Sequence, residues 1–405
     1  MQIDVFFGDV LLGVLSRDAQ GDYTFTYAPA VPATHSLSLN MPASTRESYP
    51  EGFLERLLGA RLGKDSVQAS ELEMLMACGQ QRIGNLRLLP HAGTAEAKYL
   101  DWTDDDDGIE TSCLADLETV PLGKLPGISG GFPKYLGCAP DHSSPTSARQ
   151  WIVKANDPDH PELTILEFFG MEVSRRMGLP TAATVLSQDR ELLYVKRFDI
   201  AEDGTRLQFE DACSLLGLPA RDKYACSIER VVRVIRSIVA PEEASWACSN
   251  LFGQYVLTSA IRNGDAHVKN FGVLYSPSSS PQLSPVYDML TMGAYAPRAN
   301  DGDALDGMAL TLRGTRRWPR QGDLEALATL CSVSPEEKEK WYRRLQEAIS
   351  SVSMSALEFC RSENYEPAPS RLGRMLELWS FGCANISPSA SAVARDAALA
   401  IRTRG

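Results

Sequence analysis

The sequence predicts an α+β protein with two lobes, in which strands dominate the first half and helices the second. Three observations support this prediction. Apolar alternation and turn signals recur up to about residue 200, helical periodicity prevails from residue 207 onward, and a polar stretch at 263–270 separates a long apolar helix from a strand. The 405 residues are 44% hydrophobic, which is enough for two or three compact cores.

The first predicted unit, residues 1–112, is small and opens with a β-hairpin. Gly8 and Asp9 separate two apolar runs, which is a hairpin signal. Residues 91–112 are polar and acidic and are typical of a linker. Strands are predicted at residues 3–7, 10–15, 23–27 and 84–90, and helices at residues 52–62 and 70–78.

The second predicted unit, residues 113–200, is β-rich and contains one helix. That helix is expected at residues 161–177, because Gly178 and Pro180 form a helix-end signal. Strands are predicted at residues 150–154, 183–186 and 192–198.

The third predicted unit, residues 201–405, is mainly helical. Its helices are expected at residues 228–239, 242–262, 323–330, 335–352 and 371–382, with a strand at 271–274. The last twenty residues are rich in Ala and Ser and are compatible with a final helix or a frayed tail.

Three polar residues of this unit form the minimum set for an ATP-dependent phosphotransferase. Asp265 and Asn270 stand ahead of an apolar run, and Asp288 follows after one more turn. In such enzymes an Asp accepts the proton of a hydroxyl, while an Asn and a later Asp hold the metal. Mg²⁺ prefers hard oxygen donors together with phosphate. We therefore expect Asp265 to be the catalytic base, and Asn270 and Asp288 to bind magnesium.

Four further residues are candidates for contacts with ATP or its phosphates. Lys154 ends a strand and Glu167 lies on the following helix, so that the glutamate would hold the ammonium towards the phosphates of ATP bound between the lobes. His267 would either hydrogen-bond the transferring phosphate or hold its own loop, and the structural role is favoured. Lys269 is equally compatible with a phosphate contact and with a surface charge.

Two segments complete the predicted nucleotide site. Residues 127–134 form a flexible loop with Ser129, Gly130, Gly131 and Lys134, and its glycines free backbone N–H groups to approach phosphates. This loop is not a P-loop, because no Gly-Lys-Ser/Thr closes it. The strand that ends with Arg197, Phe198 and Asp199 would form the hinge between the lobes. There the backbone would hydrogen-bond adenine, and Asp199 would hydrogen-bond a ribose hydroxyl. The alternative is a plain strand end with a capping Asp.

Composition narrows the function further. The net charge of −12 disfavours broad nucleic-acid binding by this chain, since phosphate neutralisation needs clustered Lys and Arg. No apolar run reaches the roughly 20 residues that span a bilayer, and no secretion signal opens the chain. The nine cysteines are scattered without a Cys-x-x-Cys pair, which predicts reduced thiols. We expect a cytoplasmic protein without membrane contact.

The motifs resemble those of the HipA family, the serine/threonine-kinase toxins of bacterial toxin–antitoxin modules. The resemblance covers nearly the whole chain, and its most specific parts are the catalytic and metal-binding motifs. It is carried by residues 25–29, 37–42, 129–134, 197–199, 265–271 and 287–288. It implies a two-lobed, protein-kinase-like (HipA-like) fold with an N-terminal HipA-like subdomain, a kinase N-lobe and a helical C-lobe. The Asp-x-His-x-x-Asn order is also similar to phosphoinositide kinases, so this motif alone leaves a lipid substrate open.

The resemblance also implies roles and partners. Asp265 would be the catalytic aspartate, Asn270 and Asp288 would hold Mg²⁺, Lys154 would contact ATP, and His267 would support the phosphate site. Ser129 would be autophosphorylated, and its added charge would expel the glycine-rich loop and switch the kinase off. The implied partners are a helix-turn-helix, HipB-like antitoxin, which would supply the DNA contact, and a translation component such as an aminoacyl-tRNA synthetase as substrate.

Three departures from the family pattern motivate a second hypothesis. Phe132 stands where the loop usually has Gln, Pro133 follows it, and Lys196 replaces a common acidic residue at the hinge. The alternative is a catalytically weak, nucleotide-binding corepressor or pseudokinase that acts through its antitoxin.

Overall fold

The computed structural model describes residues 2–17, 23–32, 34–43, 47–48, 84–91, 134–137, 150–362, 370–384 and 386–403. Its contacts divide the chain into two compact units. The first contains residues 1–155, 194–223 and 272–281, and the second contains residues 156–193, 224–271 and 282–405. The three-part division expected from the sequence stays a prediction.

The part of the chain that the structure describes contains twelve strands: β1 (Gln2–Phe7), β2 (Val10–Arg17), β3 (Tyr23–Tyr27), β4 (Glu47–Ser48), β5 (Leu86–Pro90), β6 (Lys134–Gly137), β7 (Trp151–Ala155), β8 (Thr184–Leu186), β9 (Leu192–Lys196), β10 (Gln208–Asp211), β11 (Gly272–Ser276) and β12 (Ser279–Leu283).

The helices of the described residues are α1 (Leu163–Arg176), α2 (Ala212–Leu215), α3 (Ile228–Ile238), α4 (Ala244–Ala260), α5 (Gln321–Leu330), α6 (Pro335–Arg361), α7 (Ser370–Cys383) and α8 (Pro388–Arg402).

A five-stranded antiparallel sheet with the order β4-β3-β2-β1-β5 opens the first unit. Strand β1 alternates as an amphipathic strand should, with Ile3, Val5 and Phe7 buried. These side chains pack with those of neighbouring strands, including Leu15 and Phe25, in one apolar cluster. The register places Ile3 opposite Leu15, so both strands turn their apolar faces to the same core.

Two further groups of strands lie mainly in the first unit. Strands β6 and β7 pair antiparallel, with Lys134 opposite Lys154, and β9 lies beside β7. Strands β10, β11 and β12 form a second small sheet. The polar stretch at 263–270 is followed by β11, which begins at Gly272.

Glu210 of β10 ties the N-terminal segment to this sheet. Its carboxylate is fully buried and accepts hydrogen bonds from Ser38 Oγ at 2.5 Å, the Leu39 N–H at 2.8 Å, Ser214 Oγ at 3.2 Å and the Tyr275 hydroxyl. A buried carboxylate is tolerated only when such donors replace water. The segment 37–42 noted in the sequence is thus joined to β10 by a polar contact.

The second unit is built around α4. Residues 247–260 of this helix are all buried, so no face of this stretch is turned to solvent. The preceding helix α3 is amphipathic, and the Ser227 hydroxyl caps it by accepting from the Arg230 N–H. Helix α6 begins at Pro335 behind the capping residue Ser334, which is a favoured helix start.

Most predicted elements are confirmed within a few residues. The helix expected at residues 335–352 extends to Arg361, and the last residues do form a helix, α8. The helices predicted at residues 52–62 and 70–78 lie outside the described residues. The cysteines that the structure describes are buried and form no disulfide with each other. Among the described helices, none combines the length and the apolarity needed to cross a bilayer.

Candidate active site

The long buried helix α4 ends in a Schellman turn. The Arg262 N–H donates to the Ser259 carbonyl at 3.3 Å, and the Asn263 N–H donates to the Thr258 carbonyl at 3.0 Å. Arg262 takes the left-handed position of this turn, with φ of 58°. Glycine usually fills that position, because other residues are strained there. Some other contact must therefore hold Arg262.

The side chain of Arg262 supplies that contact. It forms a bidentate salt bridge with Asp303, in which Nε donates to Oδ1 at 3.0 Å and Nη2 donates to Oδ2 at 2.7 Å. Its Nη1 donates to the Ser259 carbonyl at 2.9 Å, and its guanidinium lies over the Trp318 ring at 4.8 Å. The pair is largely buried, so the end of α4 is firmly fixed.

Local hydrogen bonds shape the loop that follows. The Asp265 N–H donates to Asn263 Oδ1 at 3.2 Å, and the His267 N–H donates to the Asp265 carbonyl at 2.8 Å. The same His267 N–H also donates to Asn270 Oδ1 at 3.0 Å, and the Asn270 N–H donates to the His267 carbonyl at 2.9 Å. These reciprocal bonds close one turn of 3₁₀ helix, Val268–Asn270. The spacing of Asp265 and Asn270 is thus set by local backbone geometry.

Asp288 comes to this loop from a distant part of the sequence. Its Oδ2 accepts from Asn270 Nδ2 at 3.3 Å, and its carbonyl accepts from Asn263 Nδ2 at 3.4 Å. Its φ of 52° is left-handed, a conformation that Asp adopts more readily than most residues and that clusters at functional sites. The two residues predicted to share a metal therefore lie side by side.

Asn270 and Asp288 form a donor set that fits Mg²⁺. A carboxylate and an amide oxygen are hard ligands, and magnesium is usually held by one or two such groups together with substrate phosphate and water. The Asn270 oxygen already accepts from the His267 N–H, but an amide oxygen has a second lone pair. Within the described residues, no group of three or more acidic, His or Cys side chains is placed to hold a metal ion.

One site residue was not foreseen from the sequence. The Tyr224 hydroxyl donates to Asp265 Oδ1 at 2.5 Å, and the Tyr224 ring meets the His267 ring edge-on at 5.2 Å between centroids. Tyr224 precedes Asp265 by 41 residues, and no sequence signal marks it. Burial, and then the hydrogen bond and charge of Asp265, raise the pKa of Tyr224, so its phenol stays protonated at neutral pH.

A second carboxyl group lies beside the same loop. A Cβ added to Gly264 would come within 2.6 Å of Asp306 Oδ2. Asp306 is an exposed residue, but partial desolvation of its carboxyl by the surrounding chain and the negative charge of Asp303 raise its pKa to about 6. Arg262 opposes this rise. The Asp306 carboxyl therefore gains its charge near pH 6 rather than near the ordinary 3.8.

The other predicted phosphate contacts are buried residues. In the first unit, Lys154 lies on β7 and is 6% exposed; in the second, Glu167 lies on α1 and is 3% exposed. His267 and Lys269 are buried as well, which counts against the surface-charge alternative for Lys269. The Lys269 carbonyl accepts from the Tyr287 hydroxyl at 2.6 Å, which further joins the loop to the Asp288 segment.

The predicted hinge is a strand end with an internal ion pair. Arg197 Nη2 contacts Asp199 Oδ2 at 2.6 Å, both side chains are 1% exposed, and the Gly84 N–H donates to the same oxygen at 2.7 Å. This carboxylate is used inside the protein, which favours the structural alternative over a ribose contact. A cavity of about 190 Å³ opens beside it, lined by Gln150, Lys196, Arg197, Ile200, Ala201 and Glu202. Phe198 packs edge-on against Phe209.

The glycine-rich loop lies outside the described residues. Ser129, Gly130 and Gly131 fall before β6, and only the backbone of Lys134, the first residue of β6, is described. The roles predicted for these residues, and the departures at Phe132 and Pro133, stay predictions.

Comparison with protein families identifies the chain. The profile of the HipA-like C-terminal domain matches residues 127–353, more than half of the sequence, and that of the HipA N-terminal domain matches residues 3–89. The chain belongs to the HipA family. The resemblance inferred from the motifs is therefore confirmed.

Known proteins of similar sequence carry kinase names. The chain is 26% identical over 344 residues to the putative kinase Y4mE of Sinorhizobium fredii, covering 72% of this chain and 78% of that protein. It is 28% identical over 267 residues to the putative kinase Y4dM of the same organism, covering 61% of each.

A solved HipA structure has the same fold. The structure of the Shewanella oneidensis MR-1 toxin–antitoxin system HipA, HipB and its operator DNA matches with a TM-score of 0.66 and 18% identity, covering 99% of both chains. The predicted α+β, HipA-like fold is thus confirmed.

Helix α1 approaches the Asp288 segment so closely that Gly170 is required. A Cβ at Gly170 would lie 2.2 Å from the Met289 carbonyl oxygen. We expect Gly170→Ala to push α1 and residues 288–290 apart, to lose roughly 1–3 kcal/mol of unfolding free energy as overpacked cores do, and to disturb Asp288. Thermal unfolding measures this loss as a lower Tm.

Gly373→Ala is the matched control for this substitution. Gly373 also lies inside a helix, but its nearest neighbours are side-chain atoms of Ile401 and Arg402 at 3.5 and 3.9 Å. Because alanine favours helix more than glycine does, this variant should melt at the wild-type temperature or above it. An unchanged Tm of Gly170→Ala would show that α1 and the Asp288 segment are not in close contact.

Proposed function

We propose that this HipA-family chain is an ATP- and Mg²⁺-dependent kinase that phosphorylates serine or threonine in proteins and acts as a toxin of a toxin–antitoxin module. The observation that carries the proposal is the hydrogen-bonded pair of Asn270 and Asp288 beside Asp265, on a loop whose start is fixed by Arg262. The kinase names of the relatives support it.

Each residue has a distinct task in the proposed reaction. Asp265 orients the acceptor hydroxyl and takes its proton as the oxygen bonds to the γ-phosphorus of ATP, while the bond from that phosphorus to the β–γ bridging oxygen breaks and ADP leaves. Asn270 and Asp288 hold Mg²⁺, which would neutralise charge on the phosphates. Lys154 contacts a phosphate of ATP, a role supported by its burial on β7. His267 holds the loop through its backbone N–H. The tasks predicted for Glu167, Lys269 and the glycine-rich loop stay predictions.

The cavity beside Arg197 is the place where we propose that adenine binds. Its walls include Lys196 and Arg197 at the end of β9, the segment that the sequence predicts as the hinge. Asp199 is not part of this proposal, because its carboxylate is already bonded to Arg197 and Gly84.

Phosphate transfer from labelled ATP tests the proposed reaction. We expect the purified protein with Mg²⁺ to label itself or lysate proteins, and Asp265→Ala or Asp288→Asn to lower the rate on the order of a hundredfold or more. Asn keeps the shape of Asp288 and tolerates its left-handed φ, so this variant removes mainly the charge.

The control for these variants is Asp396→Asn, an exposed position on α8, which should keep full activity. A wild-type protein that transfers no phosphate to any protein would contradict the proposal. Labelling of phosphoinositide vesicles instead of protein would point to a lipid kinase, and nucleotide binding without turnover would point to the corepressor alternative.

Autophosphorylation at Ser129 is proposed as the switch that turns the enzyme off. A phosphoserine carries a charge of about −2, which would repel the phosphates of ATP from the glycine-rich loop. Mass spectrometry of the protein expressed alone should find phosphate on Ser129, and none in Asp265→Ala. Wild-type protein that is active yet unmodified at Ser129 would rule out this switch.

The proposed partner is a helix-turn-helix, HipB-like antitoxin that carries the DNA contact. The similar Shewanella oneidensis structure is a complex of HipA with HipB and operator DNA. With a net charge of −12, this chain is poorly suited to bind DNA by itself. In gel-shift assays the complex of this chain with the antitoxin should retard operator DNA, and the chain alone should not. Retardation by the chain alone would contradict this assignment.

A translation component, such as an aminoacyl-tRNA synthetase, stays the predicted substrate.

A further inference from the structure

Tyr224 stands in direct contact with the proposed base. Its hydroxyl donates to Asp265 Oδ1 at 2.5 Å, within the range of short, charge-assisted O–H···O⁻ bonds. The Asp265 backbone is held by Asn263 and His267. Within the part of the chain that the structure describes, Tyr224 is the only hydrogen-bond partner of the Asp265 carboxylate.

The backbone around Tyr224 is held by hydrogen bonds to residues of the segment 311–316. Its carbonyl accepts from Arg316 Nη2 at 2.5 Å. Two residues later, the Cys226 carbonyl accepts from the Thr311 N–H at 3.1 Å, and the Ile228 N–H donates back to the Thr311 carbonyl at 3.0 Å. These bonds hold the start of α3 in place. The phenol is therefore presented to Asp265 from a rigid support.

A carboxylate bonded at one oxygen still has acceptor sites at the other. An ionised Asp has about four lone-pair sites on two oxygens, and the Tyr224 phenol occupies one of them on Oδ1. A fixed Oδ1 also fixes the rotation of the carboxylate, and Oδ2 then remains to receive an acceptor hydroxyl. Small displacements of a reacting group are costly, since about 1 Å of misplacement lowers rates roughly a hundredfold.

We propose that Tyr224 is a positioning residue of the kinase reaction, which locks the Asp265 carboxylate at Oδ1 so that Oδ2 meets the acceptor hydroxyl. The inference rests on the proposed function. The raised pKa of Tyr224 agrees with it, because the phenol stays a donor at the pH of the reaction.

Tyr224→Phe tests the proposal because it removes the hydroxyl and keeps the ring that packs against His267. We expect kcat to fall roughly 10- to 100-fold with the KM for ATP unchanged, since the phenol acts on the base and not on the nucleotide. In an Asp265→Ala background the same substitution should have no further effect, because paired residues are non-additive.

Tyr342→Phe is the control, since the buried Tyr342 hydroxyl has no hydrogen-bond partner within the described residues and lies on α6. It should leave kcat unchanged. A Tyr224→Phe enzyme with wild-type kcat would overturn the proposal, and so would a higher kcat, which would mean that the phenol competes with the acceptor.

A readout that is independent of catalysis completes the experiment. Titration of the Tyr224 phenol, followed by NMR of ring-labelled tyrosine, should show a lower pKa in Asp265→Ala than in the wild type, because burial remains but the hydrogen bond and the charge of Asp265 are lost. An unchanged titration would show that the hydrogen bond is absent and would overturn the proposal. A wild-type protein without any phosphate transfer would instead overturn the proposed function, and this inference with it.

Discussion

The buried ion pair of Arg262 and Asp303 fixes where the central helix ends, and the geometry of the site follows from that point. A non-glycine residue in the left-handed position of the turn costs about 1–2 kcal/mol. Breaking a buried ion pair by removing one partner costs about 3–5 kcal/mol. Replacing Arg262 by glycine would relieve the strain but leave the Asp303 charge without its partner, so Arg262 is retained in a position where glycine would be the ordinary choice.

The same logic applies to Asp288. Its left-handed backbone is unfavourable by itself, and it is held by Asn263 on its carbonyl and Asn270 on its carboxylate. Close packing against Gly170 leaves the segment little freedom to relax. Strain that is held from several sides is common at functional sites, and here it keeps the Asp288 carboxylate beside the Asn270 side chain.

Buried carboxylates in this chain serve different purposes, and residue type does not reveal which. Asp199 and Glu210 are as buried as any candidate site residue. Their carboxylate oxygens, however, accept hydrogen bonds from several protein groups, and through these bonds they hold chain segments together. Asp265, by contrast, has a single partner for its carboxylate among the described residues. The number of protein donors around a carboxylate therefore separates structural acids from candidates for catalysis.

The sequence alone determined the order of most strands and helices and the spacing of Asp265 and Asn270, because these depend on local periodicity and on one hydrogen-bonded turn. Its motifs indicated the family by resemblance. Only the tertiary structure decided that Asn270 meets Asp288, that Tyr224 reaches Asp265, and that Arg262 is held by Asp303. Such contacts join residues that are 18 to 41 positions apart. They follow from how whole elements pack, and local propensity carries no information about that packing.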